Sequence, residues 1–225
     1  MCPVRVAGHV AALRLPLEVV IVSPRGEVLF PYPPTLATEP DATACRGTLL
    51  LASTHALKRR GHFDRYARAL AADHLATIIS SVAATWVPIE VGVAHYRACD
   101  SLNLPLDEQL RLGADVVHAL QKTFLGAVLR AASAGVGVTP VTGLLKFATV
   151  YSRSIKGGGG RIVRLGPKDV RMDFVGNPFA AIPYFRVAYR GFIQAGCEFF
   201  ARRVVVAELS SFLSPSTLAY RVAWV

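Results

Sequence analysis

The feature that most constrains this chain is a change of hydrophobic period at the glycine run Gly157 to Gly160. Upstream, from about residue 46, apolar residues recur every three or four positions, the spacing that lines one face of a helix. Downstream they alternate: Val170, Met172 and Phe174 fall on one side of an extended segment and Asp169, Arg171 and Asp173 on the other. Alternation with a polar face marks strands buried on one side only, which is the habit of antiparallel sheets. Helices first and strand pairs afterwards predict an α+β fold, with a helical layer covering one face of a sheet.

The segments follow from the same pattern. From His62 to Ala84 one stripe carries Phe63, Tyr66, Leu70, His74 and Ile78, ending where Trp86-Val87-Pro88 breaks the helix. A shorter helix is expected from Ile89 to Leu102. Another starts at Leu106 with Asp107 and Glu108 in its first turn, where carboxylates suit the helix dipole, and its stripe runs through Leu110, Gly113, Val117, Leu120, Phe124, Val128 and Ala131. Thr139-Pro140 reads as an N-cap followed by proline at the first helical position, opening a helix towards Ile155. Strands are expected at 161–165 and 168–175 around Gly166-Pro167, a helix from Ala181 to Phe200, and strands at 202–209 and 217–225. The order is helices, strand pair, helix, strand pair, giving a mainly antiparallel four-stranded sheet.

Residues 17–30 read as two short strands around Ser23-Pro24-Arg25-Gly26, and the Pro-rich stretch Pro31 to Pro40 as an extended connector. The expected organisation is therefore an N-terminal β-hairpin arm and connector over 1–43, and a single α+β domain over 44–225. The expected core includes Leu70, Ile78, Leu110, Leu120, Phe124, Val170, Phe174, Phe192, Leu218 and Trp224.

Composition narrows the classes. With 52% hydrophobic and 18% charged residues over 225 positions, the chain is too apolar for disorder and long enough for a sizeable core. No apolar run reaches the roughly 18 residues of a membrane-spanning helix. The four cysteines share no CxxC spacing, and the first residues carry no secretory pattern, so reduced thiols in a cytoplasmic protein are expected. The formal net charge of +10 admits a nucleic-acid partner; the residues that would carry it are Arg59, Arg60 and Arg65 with Arg186 from the last helix. Because the basic residues are otherwise scattered and pI bears on association more than on fold, a solvated surface is favoured.

The chemistry-bearing motifs are sparse. Gly157 to Gly160 is followed by no Lys-Ser/Thr and leads from helix to strand, whereas a phosphate loop leads from strand to helix. The six histidines form no HExxH pattern; His95 and Cys99 share a helical face but lack a third ligand. There is no GxSxG elbow and no dinucleotide or kinase signature, so a non-enzymatic role is favoured over an unrecognised enzyme, and no metal or cofactor is assigned.

Four stretches carry a resemblance: ALKRRGHFDR, the WVP before a helix, LxLG within EQLRLGADVV, and the terminal YRVAW. Over about residues 46–224 they look like a myxobacterial paralogous family of unknown function. More distantly the element order resembles the four-vinyl-reductase-like and haem nitric-oxide-binding group, which shares its architecture with transport-complex subunits that hold an acyl chain. That resemblance implies a small-molecule sensing or binding domain. The haem branch uses Tyr-x-Ser-x-Arg, whereas this chain has Tyr151-Ser152-Arg153-Ser154.

The expected function is a regulatory or sensory domain that binds an apolar small molecule or a protein partner. Its pocket is expected between the helical layer and the sheet. The expected residues are Gly113, which leaves space in its stripe, Tyr189 and Tyr220, which offer hydroxyls, and His74 from a facing helix.

Overall fold

The structure is a computed structural model that describes residues 26–82, 85–121 and 139–225. The first strand of the expected N-terminal hairpin, together with Phe124, Val128 and Ala131 of the long stripe, lies outside the described residues. Two antiparallel sheets and seven helices organise the rest.

The main sheet contains β1 (Glu27–Phe30), β5 (Gly159–Gly166), β6 (Asp169–Val175), β7 (Val204–Glu208) and β8 (Leu218–Trp224), in the spatial order β1-β5-β6-β8-β7. The two expected strand pairs are present as antiparallel hairpins, and β6 joins them by pairing with β8. β1 adds a fifth strand by pairing antiparallel with β5. The alternation resolves as anticipated: Val170, Met172, Phe174, Leu218, Tyr220 and Val222 are each no more than 2% exposed. On the opposite face Asp173 receives Arg161 at 2.7 Å and Arg171 at 2.7 Å, with Tyr32 against one guanidinium and Phe212 against the other. A carboxylate gripped from both sides satisfies charges that the sheet would otherwise bury unpaired.

The helices are α1 (Gly47–Arg59), α2 (Phe63–Ala69), α3 (Ala72–Ser80), α4 (Ile89–Asp100), α5 (Leu106–Gln121), α6 (Pro140–Ser154) and α7 (Pro183–Cys197). The expected helix over 62–84 is two helices. Leu70 and Ala71 both take extended ψ values near 140°, and the bend lets Tyr66 and Ile78 both reach full burial. A second sheet of three very short strands, β2 (Ala44–Arg46), β3 (Trp86–Pro88) and β4 (Ile155–Lys156), ties the start of α1 to the start of α4 and the end of α6. Thr139 caps α6 by accepting from the Thr142 amide. At the N-terminus of α7 the Tyr184 amide donates to the Asp100 carboxylate at 2.8 Å, an acidic group placed at the positive end of the helix.

The glycine run is a crossing point for backbone. The Gly158 amide donates to the Glu39 carbonyl and the Ala42 amide to the Gly176 carbonyl. Gly157, Gly158 and Gly176 have φ of 80°, 65° and 66°. A Cβ at Gly176 would sit 1.8 Å from the Pro40 carbonyl oxygen. Residues 39–43 thus lie across this corner at backbone contact, which only glycine permits. Among the described residues, no helix is long and apolar enough to cross a membrane.

Candidate ligand cavity

α7 presents a column of aromatic rings at helical spacing. Phe185 stacks on Tyr189 (5.1 Å between centroids) and Tyr189 on Phe192 (5.6 Å), while Phe147 from α6 meets Phe192 at 5.1 Å. Such rings are rigid and cannot collapse onto one another, so a gap beside them persists. A cavity of about 70 Å³ lies there, walled by α1, α4, α5, α6, α7 and the turn at Asn177–Phe179. Among the described residues its wall contains no Asp, Glu, Lys, Arg or His.

Several polar groups do reach this wall, and their partners decide their roles. Asn177 is occupied, its side-chain amide donating to the Tyr151 hydroxyl and its carbonyl accepting from the Phe179 amide. The Tyr189 and Tyr96 hydroxyls have no hydrogen-bond partner among the described residues, and burial holds the Tyr189 phenol well above its usual value, so it stays protonated. Ser53, in the middle of α1, lines the cavity and bonds to His95 Nε2 at 2.9 Å. His95 Nδ1 is 2.7 Å from the Tyr66 hydroxyl. Both residues are fully buried, and desolvation pushes the His95 imidazole down to about 3, so the ring is neutral. Cys99 Sγ stands 3.9 Å from the same Nε2, and burial keeps its thiol protonated.

Gly113 and Tyr189 stand in the cavity wall. The space beside Gly113 is not part of the cavity, however. A Cβ there would lie 1.7 Å from the Ala188 carbonyl oxygen, and one at Gly191 would lie 2.1 Å from the Leu110 carbonyl oxygen. The two glycines let α5 and α7 touch backbone to backbone, so the volume vacated by the missing side chain is filled by α7. Tyr220 does not line the cavity, and its hydroxyl donates to the Arg186 carbonyl at 2.8 Å. His74 is half-buried on α3 and is not in the wall either. The four arginines of the nucleic-acid alternative are engaged within the chain: Arg59 and Arg60 with Asp115, Arg60 also with Glu108, Arg65 with the Leu102 carbonyl, and Arg186 with Glu208. Sequence reasoning did not bring Ser53, Tyr66 or Tyr96 to a site, and it placed His95 only on a helical face shared with Cys99. Only the four-residue spacing of His95 and Cys99 hinted at that region.

A larger, open hollow of about 470 Å³ lies between the Pro31 to Pro34 segment and the glycine run, with Trp86 and Lys156 on its rim.

No family model matches the sequence, and no curated protein matches it. Solved structures do. An Fe(II) unliganded H-NOX protein from K. algicida superposes with a TM-score of 0.55 at 8% identity, covering 80% of this chain and 96% of that one. The fold is that of H-NOX domains. An oxygen-binding H-NOX domain related to soluble guanylate cyclases gives a TM-score of 0.53 at 12% identity, over 80% of this chain and 94% of its own. A mutant H-NOX from T. tengcongensis gives 0.53 at 12% identity, over 80% and 97%. H-NOX likeness at this identity establishes shared architecture, including helices packed on an antiparallel sheet, and the site must be argued from this chain's own residues.

Proposed function

We propose that this chain is a non-enzymatic sensory or regulatory domain whose aromatic-walled cavity binds an uncharged, largely apolar small molecule. The supporting observation is the wall itself: stacked rings that cannot close the gap, a few uncommitted hydroxyls, and no charged side chain. A charged ligand buried there would lack a counter-charge, at a cost of several kcal/mol. Among the described residues the wall carries no Asp, Glu, Lys, Arg or His, and burial keeps its tyrosines protonated, which favours binding over acid–base catalysis.

Haem, which H-NOX domains carry, does not fit the described residues. The cavity is far below the roughly 300–1,000 Å³ of pockets for drug-sized ligands. Among the described residues, neither hollow is lined by His, Cys or Met. The one fully buried histidine among the described residues, His95, has both ring nitrogens engaged. His62 bonds to Glu108, and His55 and His118 are exposed. Residues 122–138 contain no His, Cys, Tyr or Met. Of the Tyr151-Ser152-Arg153-Ser154 stretch, Ser152 and Arg153 face solvent while Tyr151 is bonded to Asn177.

Native mass spectrometry of the purified protein, followed by titration with hemin, tests both statements. The expected result is a small apolar adduct, or an apo mass that accepts one on exposure to xenon or small hydrocarbons, and no ligated Soret band. Stoichiometric hemin uptake with an axially ligated spectrum would overturn the reading.

A further inference from the structure

Ser53 sits in the middle of α1, only 5% exposed, at a point where the wall is otherwise apolar. A serine inside a helix ordinarily returns its hydroxyl to the carbonyl four residues back. Its neighbour Thr54 does so, donating to the Leu50 carbonyl at 2.8 Å. Ser53 does not; among the described residues its hydrogen-bond partner is His95.

The direction of that bond follows from the next link. The Tyr66 phenol is fully buried and must donate its hydrogen; the Thr54 hydroxyl lies near it but spends its own hydrogen on the Leu50 carbonyl, and the acceptor that meets hydrogen-bond geometry is His95 Nδ1 at 2.7 Å. A neutral imidazole that accepts at Nδ1 carries its hydrogen on Nε2. We therefore assign Nε2–H as the donor to Ser53 Oγ. With its oxygen accepting from histidine and no helix carbonyl receiving its hydrogen, the serine hydroxyl is left with a donor to spend, and the cavity is what it lines. Three residues from three helices (Tyr66 of α2, His95 of α4, Ser53 of α1) thus form one chain of donors ending at the cavity wall.

We propose that Ser53 is the polar anchor of the cavity, and that the ligand is a short apolar molecule bearing one uncharged acceptor, a carbonyl or ether oxygen. This rests on the cavity reading above and adds to it the ligand's functional group and the residue that reads it. Tyr66 and His95 are positioning residues: they never touch the ligand, and they fix the direction of the Ser53 hydroxyl. Tyr189, whose hydroxyl has no hydrogen-bond partner among the described residues, lines the same space. A pure hydrocarbon leaves the Ser53 donor unsatisfied, which is the penalty that separates the two ligand types.

Two isosteric probes test this: 2-butanone, and 2-methyl-1-butene, in which a methylene replaces the carbonyl oxygen. Their Kd values are to be measured by NMR titration of the full chain, with xenon as a control for the cavity. Wild type is expected to prefer the ketone by about five- to tenfold, the usual worth of one buried hydrogen bond. Ser53→Ala abolishes the preference and leaves the alkene within twofold. Tyr66→Phe, which frees Nδ1 and lets the tautomer invert, reduces the preference without altering xenon uptake. If wild type binds both probes equally, or Ser53→Ala weakens both alike, the anchor is overturned while the cavity stands. If neither the probes nor xenon binds, the cavity reading fails and the anchor with it. Should Ser53→Ala not fold, the imidazole ¹⁵N shifts of His95 in the wild-type protein decide: a hydrogen on Nε2, retained with 2-butanone bound, supports the proposal, and a hydrogen on Nδ1 overturns it.

Discussion

α5 and α7 meet in two very different ways within one turn of each other. At Gly113 and Gly191 the helices press backbone on backbone, with no space for a single added carbon. Beside this seam the Phe185–Tyr189–Phe192 column holds open a cavity. Interiors are close-packed, and ordinary cores close such gaps when their side chains can move. Here they cannot. The glycine seam sets the helix separation from one side, and stiff rings prop the other, so the space is held open by the same contact that makes its neighbour tight. The cavity is thus bounded by a backbone seam on one side and stacked rings on the other.

The comparison can be broken at the seam first. Gly113→Ala forces a Cβ into the Ala188 carbonyl and is expected to lose at least about 3 kcal/mol in urea unfolding, the upper end of overpacking costs. A loss under about 1 kcal/mol would show that the helices can part, and with them the rigid cavity. Next is the buried relay. His95→Ala leaves the Tyr66 and Ser53 hydroxyls without their partner and is expected to cost about 2–3 kcal/mol.

The same histidine predicts a pH signature. Its folded value, about 3, lies below the ordinary 6.5, so the unfolded chain binds the extra proton between those limits. Stability from this group is full above about pH 6.5 and falls as pH drops towards 3, by up to about 1.4 kcal/mol per pH unit. Wild type should therefore show a steeper decline than His95→Gln across that window, and parallel curves would contradict the neutral buried ring.

The cavity side should respond more gently. Val150→Leu adds a methylene into open space, so stability is expected to change by less than about 0.5 kcal/mol while xenon and 2-butanone uptake disappear. The smallest effect belongs to Tyr189→Phe. Its hydroxyl has no partner to lose, so the melting temperature should hold or rise slightly; a drop of several degrees would reveal a hydrogen bond there.

Much of this architecture was legible because long elements repeat their pattern many times. The strands at β6 and β8 and the helices at α4, α6 and α7 lie within a few residues of where period and capping place them. The second sheet was not legible. Its strands are two or three residues long, too short to show alternation, and Ala44 pairs with both Pro88 and Lys156, partners more than forty and a hundred residues away. The break at Leu70–Ala71 carries no Gly or Pro to announce it, and Tyr66 and Ile78 are fully buried on either side of it.

The site divides the same way. The sequence by itself determined that α5 lacks a side chain in its apolar stripe at Gly113, that α7 carries aromatic residues at helical spacing, and that the sheet is apolar on one side, since each is a property of one element's own periodicity. The tertiary structure decided what Gly113 touches, that the rings prop a cavity, and that Tyr220 and His74 stand outside it. It also decided that Ser53, His95 and Tyr66 meet. Those three residues lie on separate helices, spaced 42 and 29 positions apart in the chain. No local pattern links them; only the packing of α1, α2 and α4 brings their hydrogen-bonding groups within 3 Å, because burial leaves each polar group no solvent to turn to.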